Sequence, residues 1–176
     1  QGSPEAPYLR TGDLGFLYGG ELYPTGRIKD LLILNGANVY PQDIEELVSR
    51  DIPSIRRDCV AAFTIDGRDS EELGVRVELK PRVGDLDRVR ADVYKAITAE
   101  FDFPPSTILI VGKGDVQKTS SGKIQRSKCR KMWQDGALTL LLEWHSSASN
   151  YSLNSIREST IDKTDATRWL MERIAD

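Results

Sequence analysis

The chain has 176 residues, of which 39% are hydrophobic and 29% are charged, and its formal net charge is −3. This composition is typical of a soluble globular protein and lacks the overall basicity by which many proteins bind nucleic acid. No apolar run approaches the roughly 20 residues that a membrane-spanning helix needs. The two cysteines and one histidine are too few and too scattered for a disulfide framework or a zinc site, and free thiols fit a reducing cytoplasm.

The first part of the chain predicts a hairpin, a strand and a helix. The dipeptide Gly-Gly at 19–20, between the triplets FLY at 16–18 and ELY at 21–23, is a signal for a two-residue hairpin turn. The apolar run at 28–34 predicts a strand, which the Asn-Gly dipeptide at 35–36 ends with a turn. Pro41 suits the first position of a helix whose early turns carry acidic residues, as the helix dipole favours.

The next part predicts three further strands and two helices. The segments CVAAFTI at 59–65, LGVRVEL at 73–79 and TILIV at 107–111 have the length and composition of strands. Apolar residues at helical spacing predict a helix from about 85 to 101, and a basic helix follows from about 124 to 133. This alternation predicts a small α+β domain in which helices pack on a three-stranded sheet beside a short hairpin.

Beyond the basic helix the regular pattern is lost. The segment 134–163 is polar and rich in serine, and it predicts a linker. In 164–176 the apolar residues again fall on one side of a helix. That helix is too short to bury its apolar side by itself, so it is either a plain terminal helix or the start of a further domain.

The segment KTSSGKIQR at 118–126 has three interpretations: a phosphate-binding loop, a basic linker, or a loop that carries one reactive lysine. A nucleotide P-loop requires the pattern GxxxxGK[ST], but here Gln117 replaces the first glycine and Ile124 follows Lys123. A linker fits poorly because the segment joins a predicted strand directly to a predicted helix. The pattern therefore favours a solvent-facing loop in which Gly122 gives backbone freedom and Lys123 carries a compact charge toward a developing anion.

Three segments in this order resemble the carboxyl-terminal portion of the adenylate-forming superfamily, the acyl- and aminoacyl-AMP ligases. They are YLRTGDLG at 8–15, GRIKDLLILNG at 26–36 and KTSSGKIQR at 118–126. The resemblance implies that residues 1–28 are the end of a large adenylation domain and the approach to a hinge. It implies that residues 29–133 are the mobile small domain of the enzyme.

The resemblance also implies a reaction in two steps. A carboxylate attacks the α-phosphate of ATP in the presence of Mg²⁺ and gives an acyl-adenylate, and the acyl group then passes to a thiol. Lys123 would be the catalytic residue, which contacts the carboxylate and the α-phosphate in the first step and leaves when the domain rotates. Asp13 would bind the ribose hydroxyls, and Arg27 would contact the nucleotide or stabilise the second conformation. Lys29 would be the hinge residue, and Gly36 would lie on the side that faces the thiol of the acceptor.

The same resemblance implies where the substrates bind. ATP and Mg²⁺ would be held mainly by the large domain, which is expected to be absent from this chain. No residue of the chain is therefore assigned to a metal or a prosthetic group, and the chain by itself is expected to be inactive.

One stretch indicates a branch of the superfamily. The segment GANVYPQDIE at 36–45 resembles a run found in fatty acyl-AMP ligases, which pass acyl groups to carrier proteins in polyketide, nonribosomal peptide or lipid biosynthesis. Lys29 and Ile33 stand where many other members carry aspartate and lysine. The predicted function is thus the small domain of a fatty acyl-AMP ligase. The alternatives are the small domain of an acyl-CoA ligase and a non-catalytic module that docks a carrier protein.

The expected partners follow from this branch. They are a fatty acid, ATP and an acyl carrier protein, without nucleic acid or a membrane span. The segment 164–176 is similar to the approach to a carrier domain, so the carrier could be fused downstream. The basic helix, with Arg126, Lys128, Arg130 and Lys131, is either a solvated surface or a docking surface for the carrier protein or the phosphates of CoA.

Overall fold

The computed structural model describes residues 10–67 and 70–146. The predicted helix at 164–176 and the predicted linker from residue 147 onward lie outside the described residues. Within the two described stretches, no helix is long and apolar enough to cross a membrane.

The structure begins with the predicted hairpin. Strand β1 (Asp13–Tyr18) pairs antiparallel with β2 (Glu21–Arg27) across the turn at 19–20. Both turn glycines have positive φ angles, 59° and 84°, which glycine adopts without a steric penalty. The glycines therefore determine the turn and with it the register of the hairpin.

The strand predicted over 28–34 is shorter than expected. Its first residues form a single 3₁₀ turn, Ile28–Asp30, and only Leu32–Leu34 forms a strand, β3, which pairs with β4 (Ala37–Val39). The Ile28 N–H donates 2.9 Å to the carbonyl of Gly12, and the Leu31 N–H donates 3.3 Å to the carbonyl of Ile28. These bonds fix the chain in a turn where the apolar sequence predicted an extended strand.

The central sheet has four strands, in the order β5 (Ile55–Asp66), β6 (Glu71–Leu79), β7 (Thr107–Val111) and β8 (Leu140–His145). Strands β6 and β7 are parallel, and the other neighbours are antiparallel. The prediction of three strands was therefore one short, since β8 lies inside the segment predicted as a linker. The sequence LLLEWH of β8 lacks the β-branched residues that are common in strands, and its side chains are mostly half-buried instead of alternating between buried and exposed. Neither composition nor alternation therefore predicts a strand here.

Three helices cover the two faces of this sheet. Helices α1 (Pro41–Asp51) and α2 (Leu86–Glu100) pack on one face, and α3 (Arg126–Gln134) packs on the other. Pro41 occupies the first turn of α1, as predicted, and the Asp85 carboxylate caps α2 by accepting the Arg88 N–H at 2.9 Å. The α+β class with helices packed on a sheet is confirmed.

Successive side chains along a strand point to opposite faces of the sheet, so the buried residues form two clusters, one on each face. In β5, Val60 and Ala62 face α1 and α2, whereas Ala61 and Phe63 face α3. In β6, Val75 and Val77 belong to the first face, which leaves the side chain of Arg76 on the α3 face. The side on which α3 packs therefore includes buried charge as well as apolar groups.

Candidate active-site cleft

An open cleft of about 1410 Å³ lies between the first hairpin, the 3₁₀ turn, α1 and the beginning of α3. Four of the five residues predicted for the site line this cleft, namely Asp13, Arg27, Lys29 and Lys123. They come from segments more than 90 residues apart in the sequence. The fold therefore gathers the sequence motifs at one place.

Lys123 is carried by a closed turn. The Thr119 N–H donates 2.8 Å to the Lys123 carbonyl, and the Gly122 N–H donates 2.9 Å to the Thr119 carbonyl. The Thr119 hydroxyl accepts the Lys123 N–H at 3.0 Å, and Gly122 has a φ angle of +83°. These bonds hold the backbone of the turn, while the lysine side chain is exposed and lines the cleft.

The turn also joins its two flanking segments. Lys118 and Ile124 form an antiparallel bridge, and the Gln125 N–H donates 2.9 Å to the Gln117 carbonyl. The solvent-facing loop predicted from sequence is thus a small hydrogen-bonded hairpin. Its geometry limits the motion of Lys123 relative to α3, which follows directly.

Asp13 and Arg27 face each other across the first hairpin. They are register partners in the β1–β2 ladder, and Arg27 Nε lies 3.1 Å from Asp13 Oδ1. The two side chains are 44% and 55% exposed respectively, so water screens the pair and it contributes little to stability. Both groups are therefore accessible to a polar ligand in the cleft.

Lys29 lies in the 3₁₀ turn between β2 and β3, and its side chain is exposed. Its neighbour Asp30 is partly buried and also lines the cleft. Lys29 therefore lies where the first hairpin joins the rest of the described fold, and its role as the hinge residue stays a prediction.

Gly36 does not line the cleft. It occupies the two-residue turn between β3 and β4, where Asn35 has a φ angle of 50° and Gly36 has a φ angle of 78°. Positive angles at both central residues define a type I′ turn, for which Asn-Gly is a favoured sequence. Of the five predicted residues, Gly36 alone is thus separated from the Lys123 side of the domain.

A largely buried ion pair that the sequence does not predict lies at the wall of the cleft. Arg126 donates from Nε and Nη2 to the two carboxylate oxygens of Glu45, each at 2.7 Å. Oε1 of Glu45 also accepts the N–H of Ala62, at 3.0 Å, and Nη1 of Arg126 lies 3.7 Å from Asp30. The motif YPQDIE signalled the helix but not the partner of its last glutamate, because that partner lies 81 positions further along the chain.

Burial shapes the protonation of this pair. Burial raises the pKa of Glu45, and the hydrogen bonds from Arg126 oppose that effect. For Arg126, burial lowers the pKa, but the hydrogen bond and charge of Glu45 outweigh it and leave the pKa raised. The bidentate geometry favours the ionised pair, because a neutral Glu45 would leave the largely buried Arg126 with only the more distant Asp30 as a counter-charge.

Two further buried charged residues, Arg76 and Glu78, bind backbone groups before and after the lysine turn. Arg76 donates from Nη1 to the Asp115 carbonyl at 3.0 Å and from Nη2 to the Cys129 carbonyl. Glu78 accepts the Val116 N–H at 3.2 Å. Burial lowers the pKa of Arg76, but a guanidinium stays charged at neutral pH. The lysine turn is therefore fixed on both sides by buried charged groups.

The basic helix presents fewer free cations than its sequence suggests. Arg126 pairs with Glu45, and Arg130 Nη2 lies 2.8 Å from Asp66 Oδ2. Only Lys128 and Lys131 of the four basic residues are exposed without an ion pair among the described residues. The solvated surface thus fits better than an extensive docking surface for an acidic partner.

No group of three or more His, Cys, Asp or Glu side chains in the described part of the chain could hold a metal ion. The two cysteines are free and buried in the cluster between α3 and the sheet.

Residues 29–142 match the family described as Disco-interacting protein 2-like, AMP domain. The chain belongs to this family. The match covers most of the described structure, including the lysine turn and the first three residues of β8.

Similar proteins agree with this membership. The JamA protein of Moorena producens (strain JHB), named as a medium-chain-fatty-acid–[acyl-carrier-protein] ligase, is 43% identical over 139 residues, which cover 77% of this chain and 24% of JamA. A structure from a study of fatty acyl-adenylate ligases of E. coli and L. pneumophila has a TM-score of 0.61 and 34% identity, covering 73% of this chain and 22% of that chain.

A third similar protein is a keto acid-selecting NRPS module with adenylation, ketoreductase and pseudo-Asub domains, at a TM-score of 0.65 and 34% identity over 73% of this chain and 11% of that chain. The resemblance to the adenylate-forming superfamily, closest to the fatty acyl-AMP ligases, is confirmed. The AMP-domain chain spans about a quarter of the length of the curated relatives that it matches.

Proposed function

We propose that this AMP-domain chain is the small, carboxyl-terminal domain of a fatty acyl-AMP ligase. The observation that carries the proposal is the cleft in which Lys123 shares a wall with Asp13 and Arg27. The assembled enzyme would activate a fatty acid with ATP as an acyl-adenylate and transfer the acyl group to a carrier-protein thiol. The other domain of that enzyme would bind most of the ATP and the Mg²⁺.

Lys123 would act in the first step. Its ammonium is a compact positive charge on a flexible stem, and the closed turn offers that charge to the cleft. As the carboxylate oxygen bonds to the α-phosphorus and the bond to pyrophosphate breaks, negative charge moves from the carboxylate to the α-phosphate oxygens and the leaving pyrophosphate. A cation aimed at that charge stabilises the transition state more than the ground state.

Asp13 and Arg27 would bind the nucleotide. An ionised carboxylate can accept hydrogen bonds from both ribose hydroxyls, and the exposed guanidinium beside it can contact the phosphate or replace water at the ribose. Arg27 contacts one carboxylate oxygen of Asp13. The aspartate can therefore bind the ligand while it keeps its cross-strand partner.

Lys29 and Gly36 would serve the change between the two steps. Lys29 lies in the short turn that links the hairpin to the small domain, where a change of a few backbone angles rotates the whole domain. Gly36 lies on the tight β3–β4 turn away from the Lys123 cleft. Rotation about the hinge would remove Lys123 from the reacting atoms and bring the Gly36 side to the acceptor thiol.

We propose a carrier protein as the acceptor, with CoA as the alternative. The proposal is supported by JamA, which is named as a ligase of a fatty acid and an acyl carrier protein, and by the segment GANVYPQDIE. A carrier fused downstream remains part of the proposal, since residues 164–176 lie outside the described structure. The cytoplasm is the proposed location, because two free buried cysteines suit a reducing compartment.

The acceptor can be identified with the full-length protein that contains this chain. It is incubated with a fatty acid, ATP and Mg²⁺, and then CoA or a holo carrier protein is added separately, with products read by mass spectrometry. We expect acyl-AMP that persists in the presence of CoA and disappears when the carrier protein is added. Rapid formation of acyl-CoA would instead support the acyl-CoA ligase, and no acyl-AMP in any mixture would overturn the proposed function.

A further inference from the structure

The salt bridge between Glu45 and Arg126 connects the lysine turn to the rest of the small domain. Arg126 is the first residue of α3 and follows Lys123 by three positions. Both of its bonds to Glu45 are 2.7 Å long, and the two side chains are only 17% and 11% exposed. A bidentate, charge-assisted contact of this kind fixes orientation as well as distance.

Through the Glu45–Arg126 salt bridge, the beginning of α3 is connected to three other parts of the domain. Glu45 belongs to α1 and also accepts the N–H of Ala62 in β5, an edge strand of the sheet. Arg126 lies 3.7 Å from Asp30, the last residue of the 3₁₀ turn that carries Lys29. The beginning of α3 is therefore tied to a helix, to the sheet and to the hinge segment through one pair of side chains.

A short path of bonds leads from Arg126 to the lysine. The Gln125 N–H donates to the Gln117 carbonyl at 2.9 Å and closes the base of the turn. The Thr119 N–H and hydroxyl then hold the carbonyl and the N–H of Lys123. A shift of the helix start would thus be transmitted to Lys123, because only Ile124 and Gln125 lie between Lys123 and Arg126 and both belong to the bonded base of the turn.

We propose that Glu45 and Arg126 are positioning residues that set the place of Lys123 relative to the hinge segment. This inference rests on the proposed function, since it concerns the first reaction step. Both residues line the cleft, but their charged groups bind each other, so their proposed role does not require contact with the substrate. Both would act by holding the lysine turn in one position. Lys123 would then already lie within reach of the carboxylate and the α-phosphate when the substrates bind.

The proposal predicts a selective defect. Misplacing a catalytic group by about 1 Å costs up to about 100-fold in rate, so a small change in the pair should slow adenylate formation strongly. Acyl transfer from preformed acyl-AMP takes place after Lys123 has left the reacting atoms. It should therefore be nearly unchanged by the same variant.

The test compares two arginines of the same helix in the full-length protein. Arg126→Lys keeps the charge but loses the bidentate contact with Glu45, and Arg130→Lys makes the same change in the surface pair with Asp66 outside the cleft. We expect kcat for acyl-AMP formation to fall by about tenfold or more in Arg126→Lys and to stay near the wild-type value in Arg130→Lys. The rate of transfer from supplied acyl-AMP should change little in either variant.

Combination with Lys123→Ala separates positioning from stability. If Arg126 acts through the lysine, Arg126→Lys should cause no further loss of acyl-AMP formation in a Lys123→Ala background. Equal losses in both reaction steps, or losses that multiply in the double variant, would overturn the positioning role and leave the proposed function intact. A Lys123→Ala variant with full acyl-AMP formation would overturn the catalytic role of Lys123 and the positioning role together.

Discussion

Glu45 and Arg126, which are 81 positions apart in the sequence, are joined by two hydrogen bonds of 2.7 Å between carboxylate and guanidinium. The pair joins the helix of the YPQDIE segment to the helix that follows the lysine turn. Two motifs that the sequence presents as separate are therefore parts of one rigid unit. This unit carries Lys123 into the cleft shared with Asp13 and Arg27.

Removal of Glu45 should destabilise the domain. Glu45→Ala leaves the largely buried Arg126 with only the more distant Asp30 as a counter-charge, and it leaves the Ala62 N–H without its acceptor. The expected loss in the free energy of unfolding is about 3 kcal/mol, measured by urea unfolding followed by circular dichroism. Asp51→Asn, which breaks the exposed pair with Arg50 at the end of the same helix, should leave the unfolding midpoint unchanged. Similar midpoints for the two variants would contradict this account of the pair.

Glu143 should make part of the stability depend on pH. Its carboxylate accepts from His145 and from the Trp133 indole N–H at 2.7 Å, and these bonds lower its pKa below the ordinary 4.5 although partial burial opposes them. A carboxylate with a lowered folded pKa stabilises the folded state above pH 4.5 and loses that contribution as the pH falls through the folded pKa. The advantage of the wild type over Glu143→Gln in the free energy of unfolding should therefore be greatest near neutral pH.

This difference is measured by urea unfolding at several pH values between 7 and about 3. It should shrink steadily below the ordinary pKa of the carboxyl group. A difference between wild type and Glu143→Gln that is the same at every pH would show that the charge of Glu143 does not contribute.

Gly36 should be required for its backbone angle rather than for lack of space. A methyl group at Gly36 would meet nothing within 4 Å, but its φ angle of +78° is strained for any residue with a Cβ. Gly36→Ala should cost about 1 kcal/mol in the free energy of unfolding. Gly84→Ala is the matched control, since its added methyl group also meets nothing within 4 Å and its φ angle lies outside the positive range. That variant should be neutral or slightly stabilising, and equal losses in thermal unfolding would contradict the turn assignment.

The two cysteines should react slowly in the folded protein. Cys129, a residue of α3, is fully buried on the side that packs on the sheet, and Cys59 is 4% exposed. Burial raises the pKa of the Cys129 thiol. The thiolate is the reactive form, so both burial and the raised pKa protect Cys129. Alkylation read by peptide mass spectrometry should be slow without denaturant and fast above the unfolding midpoint. Rapid modification of Cys129 in the native protein would show that α3 is not packed as described.

The sequence predicted those parts of the fold that depend on local patterns. The Gly-Gly turn of the hairpin, the helix that begins at Pro41 and the buried strand at Thr107–Val111 all have strong local signals, and the structure confirms them. Strand β8 was missed because its six residues have no alternation of their own. Its pairing with β7 defines it, and that contact links segments about 30 residues apart.

The sequence motifs identified the residues of the candidate site, but not the buried contacts that hold the lysine turn in place. Lys123, Asp13, Arg27 and Lys29 were found through three motifs, and the structure brings them to one cleft. Arg126 was grouped with the other cations of a basic helix, because nothing local shows which of four neighbouring cations turns inward. The buried Arg76 was likewise hidden in a segment that looks like an ordinary apolar strand.

The central claim is that Lys123, and no neighbouring lysine, provides the charge that forms the acyl-adenylate. The decisive measurement is single-turnover formation of acyl-AMP by the full-length protein with Lys123→Ala and with Lys118→Ala. Lys118 is an exposed lysine of the same turn that does not line the cleft. The account predicts a loss of about 100-fold or more for Lys123→Ala and a nearly normal rate for Lys118→Ala. Equal rates for the two variants would contradict it.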